Sequence, residues 1–208
     1  IYGDGNNYAT NGAYFYLSGS GTLKNIHFYD IEMSSSGNSY SLIAGYSGDS
    51  NKWTSGNIEN CLFDTITIIG MQDVGLIDFV DKVSNVILIN SDIQCGYSGQ
   101  SYVTRYHTAL YYGNNAETYT GTTENTVILS TSFYNYPHAP GTYLYNYRVS
   151  FPNGIVSNCY VGDYTGYSGS TAPTANGYDG ETITATNYNS ESWWISTMNM
   201  YDWVNVWR

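Results

Sequence analysis

Carboxylate side chains are the groups in this sequence best suited to hydrolytic or lyase chemistry. A polysaccharide-cleaving site needs two or three acids, or calcium-bound acids with an arginine, converging on one face of the fold. The candidate acids are Asp30, Asp64, Asp78, Asp81 and Asp92. Only Asp30 and Asp64 hold loosely equivalent positions after a repeated motif, and the internal arginines are Arg105 and Arg148. We therefore predict no catalytic residues and no enzyme activity, with a polysaccharide lyase or hydrolase as the alternative.

Cysteine and histidine are too scattered in the sequence to predict a metal site. No Cys-x-x-Cys pair is present, and the residues concerned are Cys61, Cys95, Cys159, His27, His107 and His138. The segment Asp4-Gly5-Asn6-Asn7 lacks the later Glu of an EF-hand loop, so we interpret it as a turn. We predict no metal ligands and no cofactor. Calcium at an acidic loop is the alternative left open.

Two of the cysteines, Cys61 and Cys159, follow the same repeated motif three copies apart. If successive copies stack as neighbouring strands, about 4.8 Å apart, the two lie roughly 14 Å from each other. A disulfide requires Cα atoms within about 7 Å. We therefore predict two small buried core residues. Cys95, which precedes Gly96, leaves an intermolecular disulfide as a further alternative.

The composition of the chain indicates an extracellular protein rich in β-structure. Its 208 residues carry a net charge of -11, with 24 tyrosines and only 11% charged residues. Such an acidic chain argues against binding to nucleic acid or to an anionic membrane surface. No apolar run reaches the roughly 20 residues that a membrane helix needs, so we predict no membrane insertion. Because the chain begins at Ile1 without a signal-like segment, we expect a processed protein or an excised part of a longer one.

A recurring asparagine organises most of the sequence. Apolar residues lie two positions before it and one and three positions after it, as in Leu23-Lys24-Asn25-Ile26-His27-Phe28. The asparagines are Asn25, Asn60, Asn85, Asn125 and Asn158. The copy around Asn125 fits only with a slip of one residue that brings in Val127 and Leu129. In strands stacked on one another, equivalent asparagines can bond side chain to side chain and occupy left-handed backbone at a bend, so we predict a structural Asn ladder.

Short apolar or aromatic strands precede each copy of the motif, and Gly- and Ser-rich bends separate them. Two or three short strands per repeat are typical of a parallel β-helix. We predict an all-β fold: a right-handed parallel β-helix, or β-solenoid, of about five irregular rungs with long loops and an aromatic C-terminal cap. The domains are residues 1–191 for the solenoid and 192–208 for a C-terminal cap or docking segment.

Aromatic residues outside the motif are the candidates for contacts with a partner. The tail supplies four tryptophans, and long insertions or the strands beside them supply tyrosines that could stack on sugars or pack between subunits. The candidates are Trp193, Trp194, Trp203, Trp207, Tyr111, Tyr112, Tyr143 and Tyr145.

The segment from Gly45 to Ile68, above all Gly56-Asn57-Ile58-Glu59-Asn60-Cys61, resembles the GLUG-type repeat of large bacterial and archaeal surface proteins. The tail from Trp193-Trp194 through Trp203-Val204-Asn205-Val206-Trp207 is similar to the aromatic segment that follows such repeats. The resemblance implies an adhesin-like cell-surface protein without enzyme activity.

Two functions remain as expectations. The first is a non-enzymatic extracellular structural or adhesive protein, either a self-assembling filament or sheath subunit or an adhesin module, whose partners are copies of itself or neighbouring surface modules. The second is a carbohydrate-binding or carbohydrate-cleaving β-helix, such as a viral receptor-binding fibre, whose partners are glycans.

Overall fold

The computed structural model describes residues 12–18, 20–34, 39–46, 56–70, 73–78, 80–95, 104–112, 121–135, 143–150, 154–166 and 173–200. The strands are β1 (Gly12–Ser18), β2 (Thr22–Lys24), β3 (His27–Ser34), β4 (Ser39–Tyr46), β5 (Asn57–Gly70), β6 (Asp73–Val74), β7 (Ile77–Asp78), β8 (Lys82–Ile89), β9 (Asp92–Cys95), β10 (Thr104–Thr108), β11 (Tyr111–Tyr112), β12 (Thr122–Leu129), β13 (Ser132–Asn135), β14 (Tyr143–Tyr147), β15 (Ile155–Gly162), β16 (Thr165–Gly166) and β17 (Glu181–Ile183). The helices are α1 (Ala185–Tyr188) and α2 (Glu191–Ser196).

The strands of the described residues pair in parallel and form three sheets. The largest follows the order β16-β13-β9-β5-β8-β12-β15-β17, and β2 and β3 also pair with β5. A second sheet runs β1-β4-β7-β11, with β6 beside β4, and a third pairs β10 with β14. Because every pair joins segments distant in sequence, the chain passes repeatedly along the same path. The prediction of an all-β fold is confirmed, and the arrangement is parallel and solenoid-like.

The largest sheet keeps the asparagine motif in register from one strand to the next. Cys61 pairs with Val86, Val86 with Thr126, and Thr126 with Cys159. Cys61 and Cys159 are therefore three strands apart, and both are free and buried. The side chains just before and after the asparagines form one apolar core, which includes Ile58, Phe63 and Leu88 at 0% exposure. The buried side chains of the motif are thus those at the apolar positions that the sequence pattern indicates.

The copy around Asn125 lies in full register, so the predicted one-residue slip is wrong. Glu124 pairs with Ser84 and Thr126 with Val86, which places Asn125 opposite Asn85. The inward positions are held by Thr123 and Thr126, both 0% exposed. A threonine has nearly the shape of valine, so it can fill an apolar position while it hides the hydrophobic pattern. The Thr126 hydroxyl donates to Cys159 Sγ at 3.1 Å.

Two backbone corners recur in each copy of the motif, five residues apart. The first consists of the five motif asparagines, with φ between 50° and 59°. The second has φ between 46° and 57° and consists of Asp30, Thr65, Asn90, Ser130 and Asp163. Asn and Asp tolerate this left-handed conformation because their short polar side chains bond locally. Gly56, just before β5, also has positive φ, and a Cβ there would lie 2.9 Å from the Gly21 carbonyl oxygen.

The last turn of the fold covers the edge of β15. Strand β17 pairs with β15, with Tyr160 opposite Glu181 and Gly162 opposite Ile183. Upstream of β17, the Ala175 carbonyl accepts from Cys159 N–H at 2.8 Å. Residues 173–183 therefore satisfy backbone groups that an open sheet edge would leave unpaired. This edge cover precedes the segment 192–208, of which residues 192–200 are described.

Candidate functional site

The asparagine side chains bond to one another along the sheet. Asn60 Nδ2 donates to Asn25 Oδ1 at 3.3 Å, and Asn85 Nδ2 donates to Asn60 Oδ1 at 3.0 Å. At the other end, Asn158 Nδ2 donates to Asn125 Oδ1 at 2.7 Å. Each amide supplies both a donor and an acceptor, which suits a repeating chain of bonds. These bonds hold neighbouring strands in register.

The ladder is interrupted once and is extended at its C-terminal end. Asn85 Oδ1 is buried and has no hydrogen-bond partner, so the step to Asn125 lacks the bond made at the other steps. Asn158 Nδ2 also donates to the Thr197 carbonyl oxygen at 2.8 Å. Through this contact the ladder ties the segment after α2 to the sheet.

A second set of side chains lies on the opposite side of the same strands from the core, and we call this side the outer face. Its positions are the second and fourth residues after each motif asparagine. One row consists of His27, Leu62, Ile87, Val127 and Tyr160, and the other of Tyr29, Asp64, Ile89, Leu129 and Gly162. Where these positions hold apolar residues, the strand is apolar on both sides, as in sheets covered on both faces.

The covered half of the outer face consists of Ile87, Val127, Leu129 and Tyr160. These side chains are buried in a second apolar cluster with Met198 and Met200. The covering residues belong to the C-terminal helical segment, residues 184–200, which follows β17. No motif in the sequence singles out this face, although apolar residues at three consecutive positions, as in Cys61-Leu62-Phe63, are a signal for it.

Aromatic rings join the helical segment to the covered half. The Trp193 ring contacts the Tyr160 ring edge to face, with centroids 5.2 Å apart, and Trp194 stands against Trp193 at 4.9 Å. Trp194 Nε1 donates to the Tyr188 carbonyl oxygen at 2.8 Å, and the Tyr188 hydroxyl donates to Asp163. The predicted candidates Trp193 and Trp194 thus lie in an intramolecular contact.

The open half of the outer face consists of His27, Tyr29 and Asp64, whereas the neighbouring Leu62 is partly buried against the second apolar cluster. Tyr29 is 62% exposed, and its ring meets the His27 ring edge to face at 5.7 Å between centroids. Asp64 Oδ1 accepts from Asn90 Nδ2 and from Thr65 Oγ1, both at 3.0 Å. Its Oδ2 faces His27 Nε2 at 3.9 Å. An exposed aromatic ring therefore stands beside a carboxylate whose orientation is fixed by two hydrogen bonds.

A buried charged group lies at the end of the fold that residues 173–183 cover. Arg148 and Asp179 are both buried, and Asp179 Oδ1 accepts from the Arg148 backbone N–H at 2.9 Å. The guanidinium donates to the Gly180 carbonyl at 3.0 Å and lies 5.8 Å from the centre of the Tyr164 ring. Burial lowers the pKa of Arg148 and the Asp179 charge opposes that shift. Burial likewise raises the pKa of the Tyr164 hydroxyl.

The remaining predicted partner residues are only partly described. Tyr111 and Tyr112 form β11, and Tyr143 and Tyr145 belong to β14, with backbone positions alone described. Trp203 and Trp207 lie outside the described residues, and Cys95 ends β9 without a described side chain. The roles predicted for all of these stay predictions.

The candidate acids do not form a single group. Asp30 lies at the second corner of its strand, whereas Asp64 lies one position earlier and faces His27. Asp78 is buried in β7, and Asp81 and Asp92 are exposed elsewhere. In the described part of the chain, no group of three or more His, Cys, Asp or Glu side chains could hold a metal ion.

Comparison with known proteins assigns the chain to no family. No protein-family model matches it, and neither the curated proteins nor the solved structures contain a significant match. Among the described residues, neither helix approaches the length and apolar character needed to cross a bilayer.

Proposed function

We propose that this chain is a non-enzymatic extracellular protein with a structural or adhesive role at the cell surface. In this proposal its fold is a right-handed parallel β-helix of about five rungs, stacked like other solenoid repeats. The observation that carries it is the side-chain ladder of Asn60, Asn25 and their equivalents, which runs between strands in continuous parallel register. A ladder of this kind builds an elongated scaffold and supplies no reactive group. The resemblance to GLUG-type repeats supports the same function.

The covered edge of β15 favours the adhesive role over growth by end-to-end stacking. Polymerisation through a sheet edge requires unpaired backbone groups. Here β17 pairs with β15, and the Tyr178 carbonyl accepts from Val149 N–H at 2.9 Å. A copy approaching this end meets β17, an edge strand of only three residues, and very short edge strands are poor templates for pairing with another chain. Within this proposal, contacts with other copies or with neighbouring surface modules use side surfaces, including the aromatic residues predicted from the sequence.

Surface location is tested on intact cells of the source organism. An antibody raised against the purified chain should label unpermeabilised cells, and brief protease treatment should remove the label. A cytoplasmic marker protein serves as the control for cell integrity. Labelling that appears only after permeabilisation would contradict the proposal.

Absence of catalysis is tested with the purified protein and a panel of polysaccharides. The rate at which reducing ends or unsaturated products are released should be the same with and without the protein. Cleavage that Asp64→Ala abolishes would replace the structural role by an enzymatic one.

A carbohydrate-binding protein is the second candidate function. The exposed Tyr29 side chain beside the Asp64 carboxylate supports this function. An aromatic ring can stack on the apolar C–H face of a sugar, and an oriented carboxylate can accept hydrogen bonds from its hydroxyl groups.

A further inference from the structure

We propose that the open half of the outer face is a binding site for a neutral saccharide, with Tyr29 as the stacking platform and Asp64 as the acceptor for sugar hydroxyls. The inference rests on the adhesive part of the proposed function and names the ligand class and residues through which adhesion would occur.

Tyr29 is exposed on a strand that is anchored by the core. Tyr29 lies in β3 directly opposite Asp64 of β5, and the residue is 62% exposed. Beneath β3, Phe28 stacks on Phe63 with ring centroids 4.8 Å apart and planes 2° from parallel. The backbone that carries Tyr29 is therefore anchored from the core side. A tyrosine presents an apolar ring and a polar tip with few rotatable bonds, so it can bind a ligand at a small entropic cost.

The Asp64 carboxylate is held in a fixed orientation. Its Oδ1 already accepts from Thr65 Oγ1 and Asn90 Nδ2, which hold the side chain in one position. Its Oδ2 points towards His27 at 3.9 Å, a distance longer than a hydrogen bond. Hydrogen bonds from neutral donors to a charged carboxylate are roughly twice as strong as bonds between neutral groups. A sugar hydroxyl that donates to Oδ2 would gain such a bond without moving the protein.

The size and polarity of the open half favour a saccharide over a protein partner. A stable protein interface buries roughly 800 Å² on each side around an apolar centre. Among the described residues the open half offers three side chains, of which His27 and Asp64 are polar and only 34% and 22% exposed. This area is too small and too polar for the centre of a protein interface. It matches one or two sugar rings, which combine an apolar C–H face with hydroxyl donors.

The surroundings of the open half are acidic. The positions around the open half include the exposed side chains of Asp30 and Glu32, and the whole chain carries a net charge of -11. Acidic saccharides would be repelled, whereas neutral hydroxyl donors would be attracted to Asp64. Because the open half supplies one exposed ring and one carboxylate acceptor, we expect weak binding, with a Kd on the order of 1 mM for one sugar unit.

Saturation-transfer NMR on the full chain tests the proposal. The probes are the methyl glycosides of glucose, galactose, mannose and N-acetylglucosamine, with methyl glucuronide as the acidic counterpart. At least one neutral glycoside should show saturation transfer, and methyl glucuronide should show none. Tyr29→Ala should weaken binding at least about tenfold, equivalent to about 1.4 kcal/mol, and Asp64→Ala should weaken it too. Tyr29→Phe should retain it, because the ring is kept.

Tyr134→Ala is the matched control, since Tyr134 in β13 is also a strand tyrosine and is 50% exposed. Binding should survive this substitution, and circular dichroism should show all variants folded. The proposal is overturned if no neutral glycoside binds, if Tyr29→Ala leaves binding unchanged, or if Tyr134→Ala removes it equally. It is also overturned if sedimentation shows a dimer that Tyr29→Ala dissociates, because the surface is then a contact between copies. Surface labelling without sugar binding refutes this inference alone, whereas a protein found only inside cells refutes the proposed function.

Discussion

The two halves of the outer face share one backbone geometry and differ in their side chains. Both lie between the same two corners of positive φ, on strands that pair in the same register. In the covered half, Val127 and Leu129 are apolar and the chain's own C-terminal helical segment packs on them. In the open half, the equivalent positions are held by His27 and Tyr29, which remain exposed. The repeated backbone therefore specifies a platform, and two side chains per strand decide whether the chain's own helical segment packs on it or leaves it exposed.

The same asymmetry extends to charged groups. Near the covered end, Arg148 and Asp179 are buried and connect the segment after β14 to residues 173–183. Near the open end, Lys24 and Glu59 lie 3.7 Å apart with side chains 50% and 30% exposed. Buried polar contacts are expensive to break, whereas exposed ion pairs contribute little. Substitutions in the two regions should therefore differ strongly in their effect on stability.

The largest difference is expected from placing one new charge in each half. Val127→Asp puts a carboxylate among Tyr160, Met198 and their neighbours at a position with 0% exposure. We expect a loss of about 4 kcal/mol in the free energy of unfolding, or release of the helical segment. Tyr29→Asp introduces the same side chain at an exposed position and should change stability by no more than about 0.5 kcal/mol.

Urea unfolding of the two variants measures this contrast, and hydrogen exchange of residues 184–200 shows whether the segment detaches. Equal losses in the two variants would mean that the outer face is not divided as described. A tolerated Val127→Asp would mean that the helical segment contributes little to the fold in solution.

The core side of the fold was predictable because its signal is repeated. The apolar residues around Asn60 and Asn85 recur at fixed offsets, and their asparagines occupy the left-handed corner that only a few residue types tolerate. The copy at Asn125 was misread because Thr123 and Thr126 replace apolar residues without changing the geometry. Shape rather than hydrophobicity is conserved between strands at these positions.

The outer face and the second corner were not predicted, for two physical reasons. Residues of four types adopt positive φ at the second corner, so no single residue type marks it in the sequence. The five residues are Asp30, Thr65, Asn90, Ser130 and Asp163. The outer face depends on which strands lie beneath the helical segment. Ile87 and Val127 are read as part of a strand from sequence, but only the fold shows that Trp193 packs against the same cluster.

The next largest difference is expected between the buried and the exposed charges. Asp179→Ala leaves the Arg148 guanidinium buried without its nearest negative charge, so we expect a loss of about 3 kcal/mol in the free energy of unfolding. Glu59→Ala removes the partner of Lys24 at an exposed site and should cost less than about 0.5 kcal/mol. Asp179→Asn, which keeps an acceptor for the Arg148 N–H, separates the effect of charge from that of the hydrogen bond.

Thermal and urea unfolding compare these three variants with the unmodified chain. If Asp179→Asn is as stable as the unmodified chain, the hydrogen bond matters and the charge does not. If Asp179→Ala and Glu59→Ala are equally mild, residues 173–183 are held by apolar packing alone.

A smaller contrast concerns the two cysteines that occupy one motif position behind the outer face. Burial raises the pKa of Cys159 from 9.0 to about 11, and it raises that of Cys61 as well. The unfolded chain therefore releases the Cys159 proton above pH 9, while the folded chain retains it until about pH 11. The resulting stability is fully present below pH 9 and is lost between pH 9 and 11, by at most about 2 to 3 kcal/mol.

Because the 24 tyrosines also ionise in this range, the measurement is the difference between the unmodified chain and Cys159→Ala. Urea unfolding at intervals from pH 8 to pH 11 should show this difference shrinking as the pH rises. A difference independent of pH would indicate that the Cys159 thiol ionises normally. Cys61→Ala is the matched variant near the open end.

The smallest contrast separates the two ends of the Asn ladder. Glycine adopts positive φ without strain, so an Asn→Gly change removes the side-chain bonds and leaves the corner intact. Asn158→Gly loses the bonds to Asn125 and to the Thr197 carbonyl and the bond that Asn158 Oδ1 accepts from the Tyr160 hydroxyl, and we expect a loss of about 1 to 1.5 kcal/mol. Asn25→Gly loses one exposed bond from Asn60 and should cost about 0.5 kcal/mol. Hydrogen exchange of residues 193–198 should rise in Asn158→Gly alone; if it rises equally in both variants, the ladder transmits order along its whole length, and the covered half depends on the open end.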